Sequence, residues 1–219
     1  MIQSKKVEVR QENWDRLFAT PGILAVITTV DAQGRVNAGA FATCVRATHN
    51  PMQIAFTTYS EGVDTLANIR LNGEFVVNLP SFDPQQLAKV CTVGLPFERG
   101  VDELQKAELT ALPSAVVAPP RISEFSRHFE CRVAWTKDWA NRTMVMADVV
   151  AASAAAECLD DDGYLCFDTA NPALYCGAAY FNRPPYEHMF VQAAFPMQVN
   201  SFYQGPEVDF HRARVDQHK

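Results

Sequence analysis

The first long apolar stretch is hydrophobic at nearly every position rather than at alternate positions. Residues 23–30, with the sequence ILAVITTV, predict a strand, and its apolar side chains on both faces at residues 23–27 imply burial on both sides, as in a barrel packed against another layer. A turn over residues 31–34 separates this run from a second run that begins at Val36, so the two runs predict a β-hairpin. Upstream, residues 10–19 have the spacing of a short amphipathic helix, which a Pro-Gly pair ends.

Strands and helices alternate through the middle of the chain. Residues 52–58 and 74–80 have the composition of strands, and residues 65–71 between them have a helical spacing that an Asn-Gly pair stops. A second helix is predicted after Asp83, because proline stands at its first position and glutamine follows three residues after the cap. Beyond it, the pattern predicts a short helix opened by residues 101–104 and an extended proline-rich connector over residues 112–120.

The second half of the chain is rich in strands. Residues 129–135 alternate between apolar and polar side chains, and residues 143–150 supply a partner strand across a hairpin loop at residues 137–142. Short strands or turns follow at residues 164–167 and 174–176. Many short strands with few helices predict a mainly β fold, a barrel with a few helical insertions.

Composition places the chain among ordinary globular proteins. Its 219 residues are 48% hydrophobic and 20% charged, which suits one large domain or two small ones with a sizeable core. The net charge of −6 and the lack of a Lys/Arg cluster argue against nucleic acid as a partner. No apolar run has the character of a signal peptide or a membrane span, so the sequence predicts a cytoplasmic protein without a membrane partner.

Cysteines, histidines and acidic residues form no pattern of metal ligands. The six cysteines lack a CxxC pair and stand mostly in apolar surroundings, which predicts reduced thiols and no zinc site. His128 and Cys131 lie three apart in a predicted strand, so they point to opposite faces and do not form a catalytic pair. Residues 160–163 predict a solvated turn rather than a calcium loop. Since nucleotide-binding and nucleophile-elbow motifs are absent too, the catalytic residues stay unknown.

A stretch of small residues follows the first hairpin turn. Residues 38–44, AGAFATC, carry one bulky side chain, so their backbone is open to close approach by a flat molecule. Farther on, hydroxyl side chains crowd the end of the next predicted strand, and Asp64-Thr65 opens a helix. Free amides at a helix N-terminus favour an anion, so this turn is a candidate phosphate site. In the alternative interpretation, Asp64 caps the helix.

Several short segments follow one another in a fixed order. They are VITTVD (26–31), NAGAF (37–41), NP (50–51), DT (64–65) and GEFVVNLP (73–80), followed by VDEL (101–104), ECRV (130–133) and ADVV (147–150). This order resembles that of the flavin reductase-like family of FMN-binding split barrels, which includes flavoredoxin. The resemblance implies three regions: an N-terminal helix or arm at residues 1–19, a split-barrel domain at residues 20–182, and a C-terminal extension at residues 183–219.

The resemblance implies an FMN site in the small-residue strand and the following turn. The isoalloxazine ring would lie against the strand, whose amides bind its pyrimidine edge, at Asn37, Ala38, Gly39, Ala40, Phe41, Ala42 and Thr43. The phosphate would fall near Thr58, Tyr59, Ser60, Asp64 and Thr65. The family's barrel pairs as a homodimer with the flavin at the subunit interface, which would also explain the doubly apolar run at residues 23–27.

The activity that the resemblance implies is that of an NAD(P)H-dependent flavin reductase, in which NADH or NADPH passes hydride to the flavin. The reduced flavin would then leave or donate electrons to a partner such as a monooxygenase. Two alternatives stay open: a flavoredoxin-like FMN electron carrier without a nicotinamide site, and a flavin-free structural split-barrel dimer. An oxidase acting on pyridoxamine phosphate is a further alternative, but the chain lacks a basic cluster for a phosphorylated substrate.

The phosphate turn departs from the family pattern. Relatives place Lys or Arg there, whereas this turn offers Glu61 and Asp64, and its nearest cation is Arg70. Arg46, Arg99 or a residue of a partner subunit are the candidates that would compensate.

Three further features have more than one interpretation. Phe41 is either a contact of the flavin ring or a core aromatic, and His128 is expected at a strand surface rather than at a nicotinamide. The C-terminal extension would clamp the other subunit, cover the flavin or pack loosely. Its candidate contacts are Asn182, Arg183, Pro184, Pro185, Tyr186, Phe190, Phe195, Phe202, Tyr203 and Phe210.

Overall fold

The structure, a computed structural model, describes residues 6–17, 21–176 and 189–193. Its helices in these ranges are the 3-10 turns Gln11–Asn13 and Ala156–Cys158 and the α-helices α1 (Trp14–Leu17), α2 (Asp64–Asn72), α3 (Pro84–Val93), α4 (Glu103–Lys106) and α5 (Phe167–Ala170). The strands are β1 (Gly22–Val30), β2 (Val36–His49), β3 (Met52–Tyr59), β4 (Glu74–Leu79), β5 (Ala111–Leu112), β6 (Arg121–Ile122), β7 (Arg127–Trp139), β8 (Arg142–Ala154), β9 (Ala173–Tyr175) and β10 (Phe190–Gln192).

Six antiparallel strands close into a barrel in the order β1, β2, β3, β8, β7, β4, and β4 pairs back to β1. Strand β9 extends the sheet by pairing with the start of β1, and β10 pairs with β9. Strands β5 and β6 form a separate two-stranded ribbon. These pairings confirm the predicted mainly β split barrel with a few helical insertions.

Strand β1 separates two hydrophobic cores. Ala25 and Ile27 point into the barrel interior, where they pack with Phe56, Phe75 and Val145 among others. On the opposite face, Leu24 and Val26 pack against a helical layer that contributes Leu87, Val90, Val93, Leu104 and Ala107. The prediction that both faces of this strand are buried is confirmed. The second layer belongs to the same chain, so a homodimer is not what buries this strand, contrary to the explanation that the resemblance suggested.

The helix signals of the middle of the chain are confirmed. The Asp83 carboxylate caps α3 by accepting from the amides of Gln85 and Gln86, at 3.0 and 2.9 Å. Gly73 follows α2 with a φ of 72°, in the left-handed region that glycine adopts without strain, and it ends the helix there. The predicted short helix is α4, and Asp102 caps it.

The long hairpin of β7 and β8 differs from the prediction. A loop was expected at residues 137–142, but the turn has only two residues, Ala140 and Asn141, because the strands keep pairing up to Trp139 opposite Arg142. The pairing of β7 with β4 stops at Arg132, so the last part of β7 pairs with β8 alone, whereas β8 stays paired with β3 up to Arg142. Exposed polar side chains near the turn are compatible with an edge strand, and composition alone made them resemble a loop.

The terminal predictions fall only partly within the described residues. The helix expected over residues 10–19 is a 3-10 turn followed by the single turn α1, with Trp14 and Leu17 exposed rather than packed. Phe18 and all of the C-terminal candidates except Phe190 lie outside the described residues. Phe190 packs against Tyr175 of the neighbouring strand, with ring centroids 5.4 Å apart.

His128 is buried, not at the strand surface as expected. Its Nε2 lies 2.8 Å from the carbonyl oxygen of Ile122 and its Nδ1 lies 3.2 Å from Ser153 Oγ, so Nε2 donates and Nδ1 accepts in the neutral tautomer that fits both contacts. Ile122, whose carbonyl oxygen contacts His128, is itself held in place, because its amide donates to Asn78 Oδ1 at 3.0 Å. Burial lowers the pKa of His128, because the imidazolium would lose its hydration.

Acid should therefore destabilise the fold through His128. With a lowered pKa in the folded state, the imidazole is neutral in the fold but takes up a proton in the unfolded chain near its usual pKa of about 6.5. Stability is then fully present above that value and falls as the pH decreases through it. His128→Gln keeps an amide donor and should cost about 1 kcal/mol at pH 7.5, with a smaller further loss at pH 5.5 than the parent chain shows.

Urea unfolding followed by circular dichroism at the two pH values measures this difference. The exposed His49→Gln variant is the control and should keep the parent's pH dependence. Equal pH dependence in His128→Gln and in the parent chain would show that His128 is not the group responsible.

Candidate functional site

The barrel opens along one edge of β2. This strand pairs with β1 along residues 36–44, but its ladder with β3 begins only at Val45. Where the two strands separate, the Thr43 hydroxyl donates to the carbonyl oxygen of Thr57 at 2.8 Å and accepts from the Thr57 amide at 3.2 Å. The backbone of residues 37–42 consequently has one edge that faces a cleft instead of a neighbouring strand.

The cleft along this edge has a volume of about 630 Å³. Eleven of the twelve cofactor-binding residues that the sequence suggested line it: Asn37, Ala38, Gly39, Ala40, Phe41, Ala42, Thr43, Thr58, Tyr59, Asp64 and Thr65. The twelfth, Ser60, lines an adjoining pocket of about 300 Å³ together with Arg70 and Arg99. The fold thus brings the small-residue strand and the hydroxyl-rich turn onto one surface.

The close approach of strand and turn depends on Gly39. A Cβ atom at this position would lie 2.8 Å from the Phe41 ring and 3.0 Å from Thr65 Oγ1, so even alanine would press on the turn. Phe41 packs edge-on against Phe56 in the barrel interior, with ring centroids 5.2 Å apart. Phe41 is therefore a core aromatic that also lines the cleft.

A small hydrogen-bond network fixes the Thr65 hydroxyl. Asn37 Nδ2 donates to Thr65 Oγ1 at 3.0 Å and to Thr29 Oγ1 at 3.2 Å, and Asn68 Nδ2 donates to the same Thr29 oxygen at 3.0 Å. Because Thr65 Oγ1 accepts from Asn37, its own proton is left for a ligand. Thr29 is fully buried in β1, and sequence reasoning missed it because only the fold brings it beside α2.

Asp64 does not cap α2, so the capping alternative is wrong. The helix begins after Val63, which makes no side-chain capping bond, and the Asp64 carboxylate lies 3.4 Å from Nε of Arg99. The amides of the first helical turn are consequently not occupied by the Asp64 side chain. Since Thr65 and its neighbours line the cleft, this nine-residue helix presents its positive end there.

Two arginines line the cleft, and neither belongs to the turn between β3 and α2. Arg99 stands beside Asp64 in the segment that precedes α4. Arg142 lies opposite Tyr59 in the ladder of β3 and β8, with its guanidinium carbon 3.6 Å from the centre of the Tyr59 ring. Sequence reasoning missed Arg142 because it placed the residue in a hairpin loop, whereas the strand register would have paired it with Tyr59.

The other two candidate cations are not part of the cleft lining. Arg46 is exposed on β2 and does not line it. Arg70 is held by the Asp138 carboxylate, whose two oxygens lie 2.8 and 3.0 Å from one guanidinium nitrogen. The positive charge available to the cleft among the described residues is therefore that of Arg99 and Arg142.

A buried carboxylate also belongs to the cleft. Glu103 is 8% exposed, and one of its oxygens accepts from the Ala38 amide at 2.9 Å. Burial raises the pKa of Glu103, the charges of Asp64 and Asp102 act in the same direction, and the hydrogen bond from Ala38 offsets part of this effect. Sequence reasoning missed this role, because the burial of Glu103 depends on how α4 packs against β2.

Other chemistry is sparse in the part of the chain that the structure describes. Among these residues, no group of three His, Cys, Asp or Glu side chains is arranged to hold a metal ion. All six cysteines are unpaired, and four of them are buried. Asp160 accepts from the amides of Asp162 and Tyr164, as expected for a solvated turn. None of the described helices has the length and apolar character needed to cross a membrane.

The sequence and the fold are similar to those of known proteins. The family model of the flavin reductase-like domain matches residues 17–182. An uncharacterised protein from Halalkalibacterium halodurans is 32% identical over 130 residues, which is 57% of this chain, and the chain spans only 61% of that protein's length.

Two solved structures share the fold at low sequence identity. Nitrilotriacetate monooxygenase component B from Bacillus cereus superposes with a TM-score of 0.75 at 18% identity, over 91% of this chain and 98% of its own. Flavoredoxin of Desulfovibrio vulgaris (Miyazaki F) superposes with a TM-score of 0.72 at 19% identity, over 91% of this chain and all (100%) of its own.

Removing the charge of Glu103 should stabilise the fold at neutral pH. Because its pKa is raised in the folded state, the fold holds a proton that the unfolded chain releases near its usual pKa of about 4.3. Stability then falls as the pH rises above that value. Glu103→Gln keeps an acceptor for the Ala38 amide. The midpoint of thermal unfolding of the variant, relative to that of the parent chain, should therefore be higher at pH 7.5 than at pH 4.5.

Differential scanning calorimetry of the two chains measures the gain, and exposed Glu98→Gln in the same segment is the control. If the difference in stability between Glu103→Gln and the parent chain is the same at pH 7.5 as at pH 4.5, ionisation of Glu103 in the fold is not unfavourable.

Proposed function

The chain belongs to the flavin reductase-like family, and on that premise we propose that it binds FMN and reduces it with NADH or NADPH. The observation that carries the proposal is the open edge of β2 beside the N-terminus of α2, a flat wall next to an anion site. When bound, the flavin supplies the hydride and electron chemistry. The chain's own residues would bind the cofactor, orient it and keep water away.

The ring fits the small-residue wall. The hydrogen bond to Glu103 requires the Ala38 amide to point away from β1, and strand alternation gives the Ala40 amide the same direction. We assign Ala40 as the donor to the pyrimidine edge of the ring, with Glu103 holding the strand in place. Phe97 and Pro96 also line the cleft and would exclude water from the ring.

The phosphate fits the other end of the cleft. The first-turn amides of α2 and the Thr65 hydroxyl supply donors, and Arg99 and Arg142 supply the positive charge that the turn lacks. Arg99 already faces the carboxylate of Asp64, so Arg142 offers the guanidinium without an ion pair among the described residues. In this assignment, Arg99 and Arg142 take the role of the Lys or Arg that relatives carry in the turn.

A homodimer is part of the proposal. The tip of the β7–β8 hairpin exposes Trp135 and Trp139, side chains that are enriched at the centres of protein interfaces. Arg142 directly follows the turn of this hairpin and lines the cleft, so a second subunit seated on the hairpin would border the flavin. Unpaired cysteines support a reducing, cytoplasmic location.

The electron acceptor of the reduced flavin is proposed to be a monooxygenase or another redox protein. Its support is the shared fold with a monooxygenase component B. The shared fold with flavoredoxin favours a second candidate, an FMN electron carrier without a nicotinamide site.

An anaerobic titration with NADH and with NADPH separates these functions. FMN bound to the protein should lose its visible absorbance on addition of one nucleotide, much faster than free FMN does without protein. Bound FMN that neither nucleotide reduces, but that dithionite does, would replace the reductase by the carrier. Failure to bind FMN at all would favour the flavin-free structural dimer.

The phosphate assignment predicts a selective loss of affinity. Arg142→Ala and Arg99→Ala should each weaken FMN binding by roughly tenfold, because each removes a charged donor worth about 1.5 kcal/mol or more. Riboflavin lacks the phosphate, so its binding should change little in the same variants. Quenching of flavin fluorescence measures both ligands, and Arg46→Ala is the matched control. A loss shared equally by FMN and riboflavin would remove the two arginines from the phosphate site.

A further inference from the structure

A second cavity of about 330 Å³ adjoins the cleft. It lies between the end of α3 and the pair β9–β10, and it shares with the cleft the residues 40–42 of β2 and 94–96 after α3. Its remaining wall is built by Leu24, Val90, Cys91, Tyr175 and Phe190. The two spaces therefore meet along the strand on which the flavin ring is proposed to lie.

The chemistry of this second cavity differs from that of the cleft. None of the described residues that line it is charged at neutral pH, whereas the cleft has Asp64, Arg99 and Arg142 in its wall. The polar side chains in its wall are those of Cys91 and Tyr175, and burial raises the pKa of both, which keeps them neutral. A charged ligand would lose its hydration here without gaining an ionic partner.

The shape and the aromatic lining favour a flat ligand. Tyr175 and Phe190 stand 5.4 Å apart between ring centroids, tilted by 42° to each other, and Phe41 contributes to the shared wall. A volume of about 330 Å³ is at the lower end for small-molecule sites, which limits the ligand to one or two fused rings. Such a ligand, resting on residues 40–42, would border a ring bound in the cleft.

We propose that the second cavity binds an uncharged aromatic molecule of one or two rings beside the flavin site. The inference rests on the proposed flavin site for the ligand's neighbour, but binding in the cavity is independent of flavin. Its neutral wall selects against carboxylated arenes and against the phosphates of a dinucleotide.

Cys91 provides a direct reporter of occupancy. Nitrobenzene is the probe, and alkylation by N-ethylmaleimide is followed at each cysteine by mass spectrometry, with and without FMN. At ten times its dissociation constant, nitrobenzene should slow the alkylation of Cys91 by about tenfold. Cys166 is similarly half-buried but lies outside the cavity, so its rate is the internal control and should stay unchanged. Benzoate, of similar size but charged, should protect neither cysteine.

A filled cavity gives the second test. Cys91→Phe places a ring in the space without replacing a residue of the cleft lining, and Cys91→Ser is the matched control that keeps the volume. Equilibrium dialysis should show nitrobenzene binding to the parent and to Cys91→Ser but not to Cys91→Phe, while FMN binds all three. Nitrobenzene binding that survives in Cys91→Phe, or protection of Cys91 by benzoate or NADH but not by nitrobenzene, would overturn the inference. If the parent chain does not bind FMN, the proposed function is refuted, whereas the test of nitrobenzene binding in the cavity still holds.

Discussion

The need to bury both faces of β1 sets the plan of the whole molecule. One face is satisfied when the six strands close around Ile27 and its neighbours, and the other only when α3 and α4 cover Leu24 and Val26. The same helical layer delivers Glu103 to the backbone of β2 and places the segment after α3 across from the turn that precedes α2. The cleft is thus the space between the barrel and the helices that pack against its first strand.

An open strand edge inside a folded domain has to be compensated, because buried amides without partners are costly. Here the Thr43 hydroxyl ends the split by bonding to Thr57, and the Glu103 carboxylate takes the Ala38 amide. What remains of the edge lies between these two points. The length of the cleft floor is therefore set by the contact of Glu103 with Ala38 and by that of Thr43 with Thr57, while glycine and alanine keep its surface flat.

Local signals predicted much of this fold from the sequence. A run of consecutive apolar residues identified β1, Asp83 and the proline after it identified the start of α3, and a stretch of small residues identified the wall of the cleft. Tertiary contacts decided the rest. Nothing local to Glu103 or Thr29 shows that packing will bring them to the cleft, and the polar tip of the β7–β8 hairpin resembled a loop, which concealed the position of Arg142.

The placement of the aromatic side chains has an optical consequence. All three tryptophans, Trp14, Trp135 and Trp139, are more than two-fifths exposed, so indole emission reports poorly on melting of either core. Two of them stand on the hairpin that contributes Arg142 to the cleft at the position directly after its turn. An isoalloxazine absorbs where indole emits, so a bound flavin would quench the emission of Trp139 by energy transfer. The extent of this quenching would report cofactor occupancy and the distance between the hairpin and the ring.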